Sequence, residues 1–175
     1  VRYAKALYGL VKEQEKEMIH NIFKLDDTAV QQVMTPRPDV LAFKGDVTVE
    51  QALPQIRESG FSRIPIYDKD MDHITGVLYV KDLLTAHKDM LVRELRRETF
   101  FVPESKRIDK LLLEFKAKKM HLAIVVNEHG TMVGIITIED LLEEIVGEIY
   151  DETDPQEEQE AVIKQLNDTE WLMKG

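Results

Sequence analysis

Gly76-Val77-Leu78-Tyr79-Val80-Lys81-Asp82-Leu83-Leu84 and Gly134-Ile135-Ile136-Thr137-Ile138-Glu139-Asp140-Leu141-Leu142 are two versions of one pattern. Each opens on glycine, continues as an apolar strand, and reaches an aspartate and a Leu-Leu pair where a helix should begin. The likeness extends backwards from both. Val49 falls on Ile108, Ile56 on Phe115, Phe61 on Met120 and Ile66 on Val125 at one constant offset. Deleting one residue in the second copy's turn then sets Gly76 on Gly134 and Asp82 on Asp140. The unit from Thr48 to Leu84, repeated from Arg107 to Leu142, reads helix, strand, glycine-bearing strand, helix.

The opening helix of each unit is amphipathic, through Val49, Ala52, Leu53 and Ile56 in the first and Ile108, Leu111, Leu112 and Phe115 in the second. Thr48 with Gln51 forms a capping box at the first. Pro54 lies inside that helix, where proline costs about 3 kcal/mol against alanine, so a kink is expected. The strands Arg63 to Tyr67 and Leu122 to Val126 lead through turns to the return strands. A unit this small cannot bury both faces of its sheet alone, so the two should pack sheet to sheet. The fold class is α/β (α+β): tandem repeats, two small sheets with flanking helices, related by a pseudo-two-fold axis.

Upstream, Leu7, Leu10, Val11, Met18, Ile22 and Leu25 recur near the helical period, which predicts an N-terminal helix. Asp26-Asp27-Thr28 interrupts it, and a short second helix through Val30, Val33 and Met34 should follow. Pro36 and Pro38 end that helix and hold Arg37 extended; Val40 to Phe43 reads as a short strand. The expected divisions are 1–32, a helical linker; 33–90 and 91–150, the repeats; and 151–175, an acidic linker with the start of a truncated C-terminal domain. The stretch Glu170 to Gly175 looks like an opening strand with nothing to pair with, and the chain begins on Val1, so it is read as part of a longer polypeptide.

Composition sets outer bounds. The 175 residues are 43% apolar and 32% charged, as in an ordinary globular protein. Without cysteine there is no disulfide and no thiolate metal site. A net charge of -10 repels nucleic acid, so none is expected as a partner. Between Glu143 and Glu160 stand nine acidic residues and no Lys or Arg, most simply a solvated helix end and tail. No apolar run approaches the ~20 residues of a membrane helix, and no signal peptide opens the chain. The histidines 20, 73, 87, 121 and 129 have no metal-ligand spacing, and neither a nucleophile elbow, a Walker loop nor a dinucleotide fingerprint occurs, so no enzyme activity is expected.

The two glycine-to-leucine stretches resemble the closing motif of CBS domains. With Val33-Met34-Thr35-Pro36-Arg37 and Ser62-Arg63-Ile64-Pro65-Ile66-Tyr67, the chain from about residue 10 to 150 is similar to the CBS pair (Bateman module) of the CorC/HlyC family, related to the CNNM magnesium transporters. The resemblance implies a regulatory module at the cytoplasmic face of the inner membrane, homodimeric through its repeats and joined to a membrane domain of the same parent chain. It also implies an adenine nucleotide, AMP or ATP with Mg2+, held between the repeats by Thr35, Phe61, Arg63, Thr137, Ile138 and Asp140.

A physical reason stands beside the resemblance. A Thr hydroxyl and an Asp carboxylate one turn apart at a helix start can orient ribose hydroxyls, and the helix dipole favours anions there. Thr137 and Asp140 could equally form only a capping box. Phe61 could be a core aromatic, Arg63 a surface strand residue rather than one that meets phosphate in a fork, and Thr35 a turn residue. Tyr79 stands where Thr137 stands in the second repeat, so one competent site per chain is expected. Three rival readings are a dimerisation module with an empty cleft, a metal-dependent phosphohydrolase, and a magnesium sensor acting through the acidic run.

Overall fold

In the computed structural model of the chain, residues 13–147, 164–167 and 170–172 are described. Helix α1 (Glu13–Leu25) comes first, then β1 (Thr35–Pro36), β2 (Phe43–Lys44), α2 (Val49–Ser59), β3 (Arg63–Tyr67) and β4 (Ile74–Tyr79). The second half carries β5 (Arg96–Arg97), β6 (Phe100–Pro103), α3 (Ile108–Lys118), β7 (Leu122–Val126), β8 (Met132–Thr137) and α4 (Ile138–Val146). A hairpin of β9 (Lys164–Asn167) and β10 (Glu170–Leu172) lies beyond. Residues 1–12 and most of the acidic run lie outside the described residues.

Both repeats build the same four-stranded sheet, in the orders β2-β3-β4-β5 and β6-β7-β8-β1. The first two strands of each are parallel and the rest antiparallel. The fourth strand is exchanged: β1, at the start of the first repeat, completes the second sheet, and β5, at the start of the second, completes the first. This exchange explains the glycine of the repeated motif. A Cβ on Gly76 would stand 2.5 Å from the Arg97 carbonyl oxygen, and one on Gly134 would overlap that of Thr35. Only glycine lets the exchanged strand come this close.

Three apolar clusters follow from the alternation of the strands. Phe43, Ala52, Ile56, Ile64, Ile66, Leu78 and Val92 form the first repeat's core. Val30, Val102, Leu111, Phe115, Val125, Ile136 and Leu141 belong to the second's, and Leu25 of α1 is buried with them. The third cluster joins the repeats: Ile74 and Val77 of β4 meet Leu122 and Ile124 of β7 and Met132 of β8. The sheets therefore pack face to face, as the alternation requires, and burying each such side chain contributes roughly 1.5–3 kcal/mol. A polar clamp reinforces the contact. Arg37 Nη1 donates to Asp72 Oδ1 at 2.6 Å and to the Met132 carbonyl at 3.1 Å, while the Met132 N–H donates to the same Asp72 oxygen at 3.0 Å.

The capping box at Thr48 forms as expected: the Gln51 N–H donates to Thr48 Oγ1 at 3.3 Å and the Thr48 N–H to Gln51 Oε1 at 3.0 Å. Helix α2 continues through Pro54 and ends on Gly60 at φ 67°. Its counterpart α3 ends on Lys119, equivalent to Gly60, at φ 54°.

Five local expectations are corrected. Pro36 is extended, but Arg37, expected to be extended as well, opens a 3-10 turn over Arg37–Asp39. Val30–Gln32 is a 3-10 turn rather than an α-helix, and the strand expected from Val40 is confined to Phe43–Lys44. The first repeat's closing segment, Val80–Thr85, is also 3-10, and Tyr79 makes no side-chain cap there whereas Thr137 caps α4. The strand at Glu170 is paired, antiparallel to Lys164–Asn167.

Candidate functional site

The closing strand of the second repeat, the exchanged strand β1 and the turn from α2 into β3 converge on a cleft of about 300 Å³. Thr35, Phe61, Arg63, Thr137 and Asp140 all line it. Of the residues singled out in the sequence, Ile138 alone is not a wall of this cleft. Its side chain packs against the second core and its N–H donates to the His121 carbonyl at 3.1 Å.

Thr137 ends β8 and caps α4. The Asp140 N–H donates to Thr137 Oγ1 at 3.3 Å, and the Thr137 N–H and hydroxyl donate to Asp140 Oδ2 at 2.6 and 2.8 Å. The capping reading is thus realised, yet all of these bonds to the carboxylate use Oδ2. Among the described residues Asp140 Oδ1 has no hydrogen bond, so it remains able to accept one. Capping holds the pair rigid at the rim of the cleft, which is what orienting a ligand requires.

Thr35 comes to the cleft because β1 pairs with β8, Thr35 opposite Ile135. Phe61 is not a core aromatic: it is 52% exposed and follows Gly60, whose left-handed conformation turns the chain out of α2. Arg63 is the first residue of β3 and is no simple surface residue, its side chain being only 21% exposed. Its Nη1 lies 3.4 Å from Glu139 Oε1 of the second repeat, and its guanidinium lies 5.6 Å from the Tyr79 ring centre. Its Nε is buried without a hydrogen-bond partner among the described residues. A buried donor of this kind is costly to leave unsatisfied, and an acceptor entering the cleft would relieve it.

Sequence reasoning missed Asp39 and Glu139, which also line the cleft. Glu139 carries a faint signal, since an acid in the first turn of a helix is favoured by the dipole, but nothing local to it shows that Arg63 lies opposite. The walls thus carry three carboxylates, Asp39, Glu139 and Asp140, against the cation of Arg63. Val40, Leu41, Leu122 and Ile135 supply apolar surface. Such a site can hold a flat apolar ring against Phe61, hydroxyls at Thr137 and Asp140, and an anion at Arg63.

The pseudo-equivalent place in the first repeat is built otherwise. Val77 corresponds to Ile135; Val77 pairs with Arg97 and Ile135 with Thr35, so Arg97 takes the place of Thr35. Tyr79 and Asp82 take those of Thr137 and Asp140. Arg97 Nε and Nη2 donate to Asp82 Oδ2 and Oδ1 at 2.8 and 2.7 Å, and the guanidinium lies 4.7 Å from the Tyr79 ring centre. The Asp82 hydrogen bonds hold Arg97 more firmly protonated than an ordinary arginine.

Among the described residues no group of three His, Asp or Glu side chains could hold a metal ion, and no helix is long and apolar enough to cross a membrane.

Comparison with known proteins agrees with this architecture. The CBS domain model matches residues 30–89 and again 92–147. The magnesium and cobalt efflux protein CorC of Escherichia coli K12 is 38% identical over 170 residues, which are 95% of this chain and 58% of CorC. The chain thus spans a little over half the length of that relative. A solved CBS domain of a bacterial CNNM/CorC family Mg2+ transporter in complex with ATP superposes with a TM-score of 0.75 at 44% identity, over 78% of this chain and 99% of that one. A CBS-domain pair with bound AMP from Klebsiella pneumoniae gives 0.60 at 29% identity, over 69% and 99%. Two matched domains, exchanged edge strands and a cleft between them lead to one assignment: the chain belongs to the CBS-domain family, as a tandem pair of the CorC/CNNM kind.

Proposed function

We propose that the chain binds an adenine nucleotide in the cleft around Thr137 and Asp140 and acts as the regulatory part of a divalent-cation transporter. The observation that carries the reading is the convergence of Thr35, Phe61, Arg63, Thr137 and Asp140, drawn from both repeats and the exchanged strand, on one cleft. Phe61 stacks on the base, Asp140 Oδ1 and the Thr137 hydroxyl engage the ribose, and Arg63 meets the phosphate nearest it. Ile138 contributes as the apolar first residue of α4, holding Thr137 in place. The related structures carrying ATP and AMP support this ligand class.

The balance of charge bears on which nucleotide binds best. AMP brings a charge Arg63 can largely meet, whereas a triphosphate faces Asp39 and Glu139 as well. Mg2+ riding on the phosphates would offset that repulsion while keeping several of its waters, so ATP should depend on Mg2+ and AMP should not. The role is binding rather than catalysis.

The similarity to CorC supports a place at the cytoplasmic face of the inner membrane, controlling the membrane domain of the same parent protein. Leu84, Leu142 and Val146, exposed on the closing elements of the two repeats, support a homodimer.

Titration calorimetry with AMP, ATP and ATP–Mg2+ tests the proposal. One site per chain is expected, with ATP tightened by Mg2+ and AMP unaffected. At a hundredfold excess over Kd, binding stabilises by about 2.7 kcal/mol, which should show as a rise in Tm. Neither heat nor a thermal shift with any of the three would leave the dimerisation reading in its place.

A further inference from the structure

We propose that Arg37 and Asp72, neither of which lines the cleft, act as one positioning unit: they hold residues 35–41 against the second repeat and thereby set nucleotide affinity. The inference rests on the reading of the cleft given above.

Residues 35–41 form a wall of the cleft that the backbone alone holds poorly. Thr35 precedes Arg37, and Asp39, Val40 and Leu41 follow it; all four line the cleft. Strand β1 matches β8 at two positions, Thr35 with Ile135 and Pro36 with Gly134, and Pro36 has no N–H to donate. The chain then turns at once into the 3-10 segment Arg37–Asp39, closed by the Val40 N–H on the Arg37 carbonyl at 3.2 Å.

The Arg37 side chain supplies the anchor, and it does so from both repeats. Its Nη1 donates to Asp72 Oδ1, on the turn between β3 and β4, and to the carbonyl of Met132, the first residue of β8. The Met132 N–H donates to that same Asp72 oxygen, so the three groups close a triangle. Asp72 is itself held, because its N–H donates to Asp70 Oδ1 at 2.9 Å. Met132 opens the strand that Thr137 ends. The triangle thus ties one wall of the cleft to the strand carrying the other. With side chains 36% and 38% exposed, the pair can be replaced by water at small cost to stability. The fit of a ligand touching both walls is more sensitive to it.

Long-range electrostatics and positioning make different forecasts. Removing Arg37 takes away a cation and removing Asp72 an anion, so a field effect on an anionic nucleotide would weaken binding in one variant and tighten it in the other. Positioning weakens both.

Equilibrium dialysis of radiolabelled AMP against the whole chain reads the difference, on wild type, Arg37→Gln, Asp72→Asn and the two combined. Each single variant should raise Kd about five- to tenfold, and the combination no further than either alone, because each already breaks the unit. Tm should fall by no more than about 2–4 °C. Lys106→Gln breaks an ion pair with Glu114, side chains 22% and 38% exposed, that is no part of the cleft, and should keep the wild-type Kd. Wild-type affinity in both single variants, changes of opposite sign, a combined loss equal to the product of the two, or an equal loss in Lys106→Gln overturns the proposal and leaves the cleft reading standing. No AMP bound by wild type sinks the cleft reading and the proposal with it. Should either single variant not fold by circular dichroism, Asp72→Glu, which keeps the charge and shifts the carboxylate by one methylene, is read in its place and should raise Kd likewise.

Discussion

Arg63 of the first repeat and Glu139 of the second face each other across the cleft, Nη1 to Oε1 at 3.4 Å. On the proposed reading the carboxylate stands where an anionic ligand group would bind, so ligand and protein would compete for one guanidinium. Glu139→Gln removes both the competitor and a like charge facing the phosphates. Surface pairs are worth about 0–1 kcal/mol, so the variant should bind ATP–Mg2+ about two- to fivefold more tightly, with a smaller gain for AMP. Calorimetric Kd values check this. An unchanged or weakened ATP affinity would mean that Glu139 does not compete for Arg63.

Thr137 and Asp140 serve a cap and, on the proposed reading, a ligand, and two substitutions separate these roles. Asp140→Asn keeps an oxygen able to cap but loses the charge offered to the ribose. Loss of a charged hydrogen bond costs about 1.5–3 kcal/mol, so AMP affinity should fall roughly ten- to hundredfold with little change in Tm. Thr137→Val removes the capping hydroxyl and should cost about 1 kcal/mol of stability as well. Equal Kd for Asp140→Asn and wild type, measured below both melting transitions, would place the ribose elsewhere.

Much of this architecture is legible in the sequence because repetition is a long-range signal carried by local pattern. The constant offset from Val49–Ile108 to Ile66–Val125 identifies the two units, and a unit too small to bury both faces of its sheet alone points to the face-to-face packing. Thr35, Phe61, Arg63, Thr137 and Asp140 are placed by the resemblance, and the structure gathers them on one cleft. What was hidden depends on pairs distant in sequence. Nothing near Arg97 shows that it will meet Asp82, or that β1 and β5 change sheets; that follows from the pairing of Thr35 with Ile135 and of Arg97 with Val77. The 3-10 turn after Tyr79 was hidden for a different reason. Its apolar pattern matches the start of α4 through the Leu-Leu pair, and it lacks the side-chain cap that Thr137 gives α4.

Gly134 and Gly76 should respond alike in stability and differently in binding. A methyl group at either collides with the backbone of an exchanged strand, and overpacking of this kind costs about 1–3 kcal/mol. Urea denaturation of Gly134→Ala and Gly76→Ala should show comparable losses. Displacing β1 also moves Thr35 away from Thr137, so Gly134→Ala should weaken AMP binding, whereas Gly76→Ala displaces β5 and should leave the second-repeat Kd near wild type. Equal losses of affinity in the two variants would show that β1 does not position the site.

Lys119 offers the opposite prospect. It closes α3 in the left-handed conformation, φ 54°, where the first repeat has Gly60 at φ 67°. A side chain in that region costs roughly 1–2 kcal/mol, and glycine avoids the cost while giving up some entropy on folding. Lys119→Gly should therefore gain about 0.5–1 kcal/mol net, read as a higher urea midpoint with an unchanged m-value. The reverse substitution, Gly60→Lys, should lose a similar amount, and because Gly60 lines the cleft and precedes Phe61 it should also weaken nucleotide binding. Lys119 is not a wall of that cleft, so its variant should keep the wild-type Kd. A lower midpoint for Lys119→Gly would mean that the lysine makes an interaction worth more than its strain.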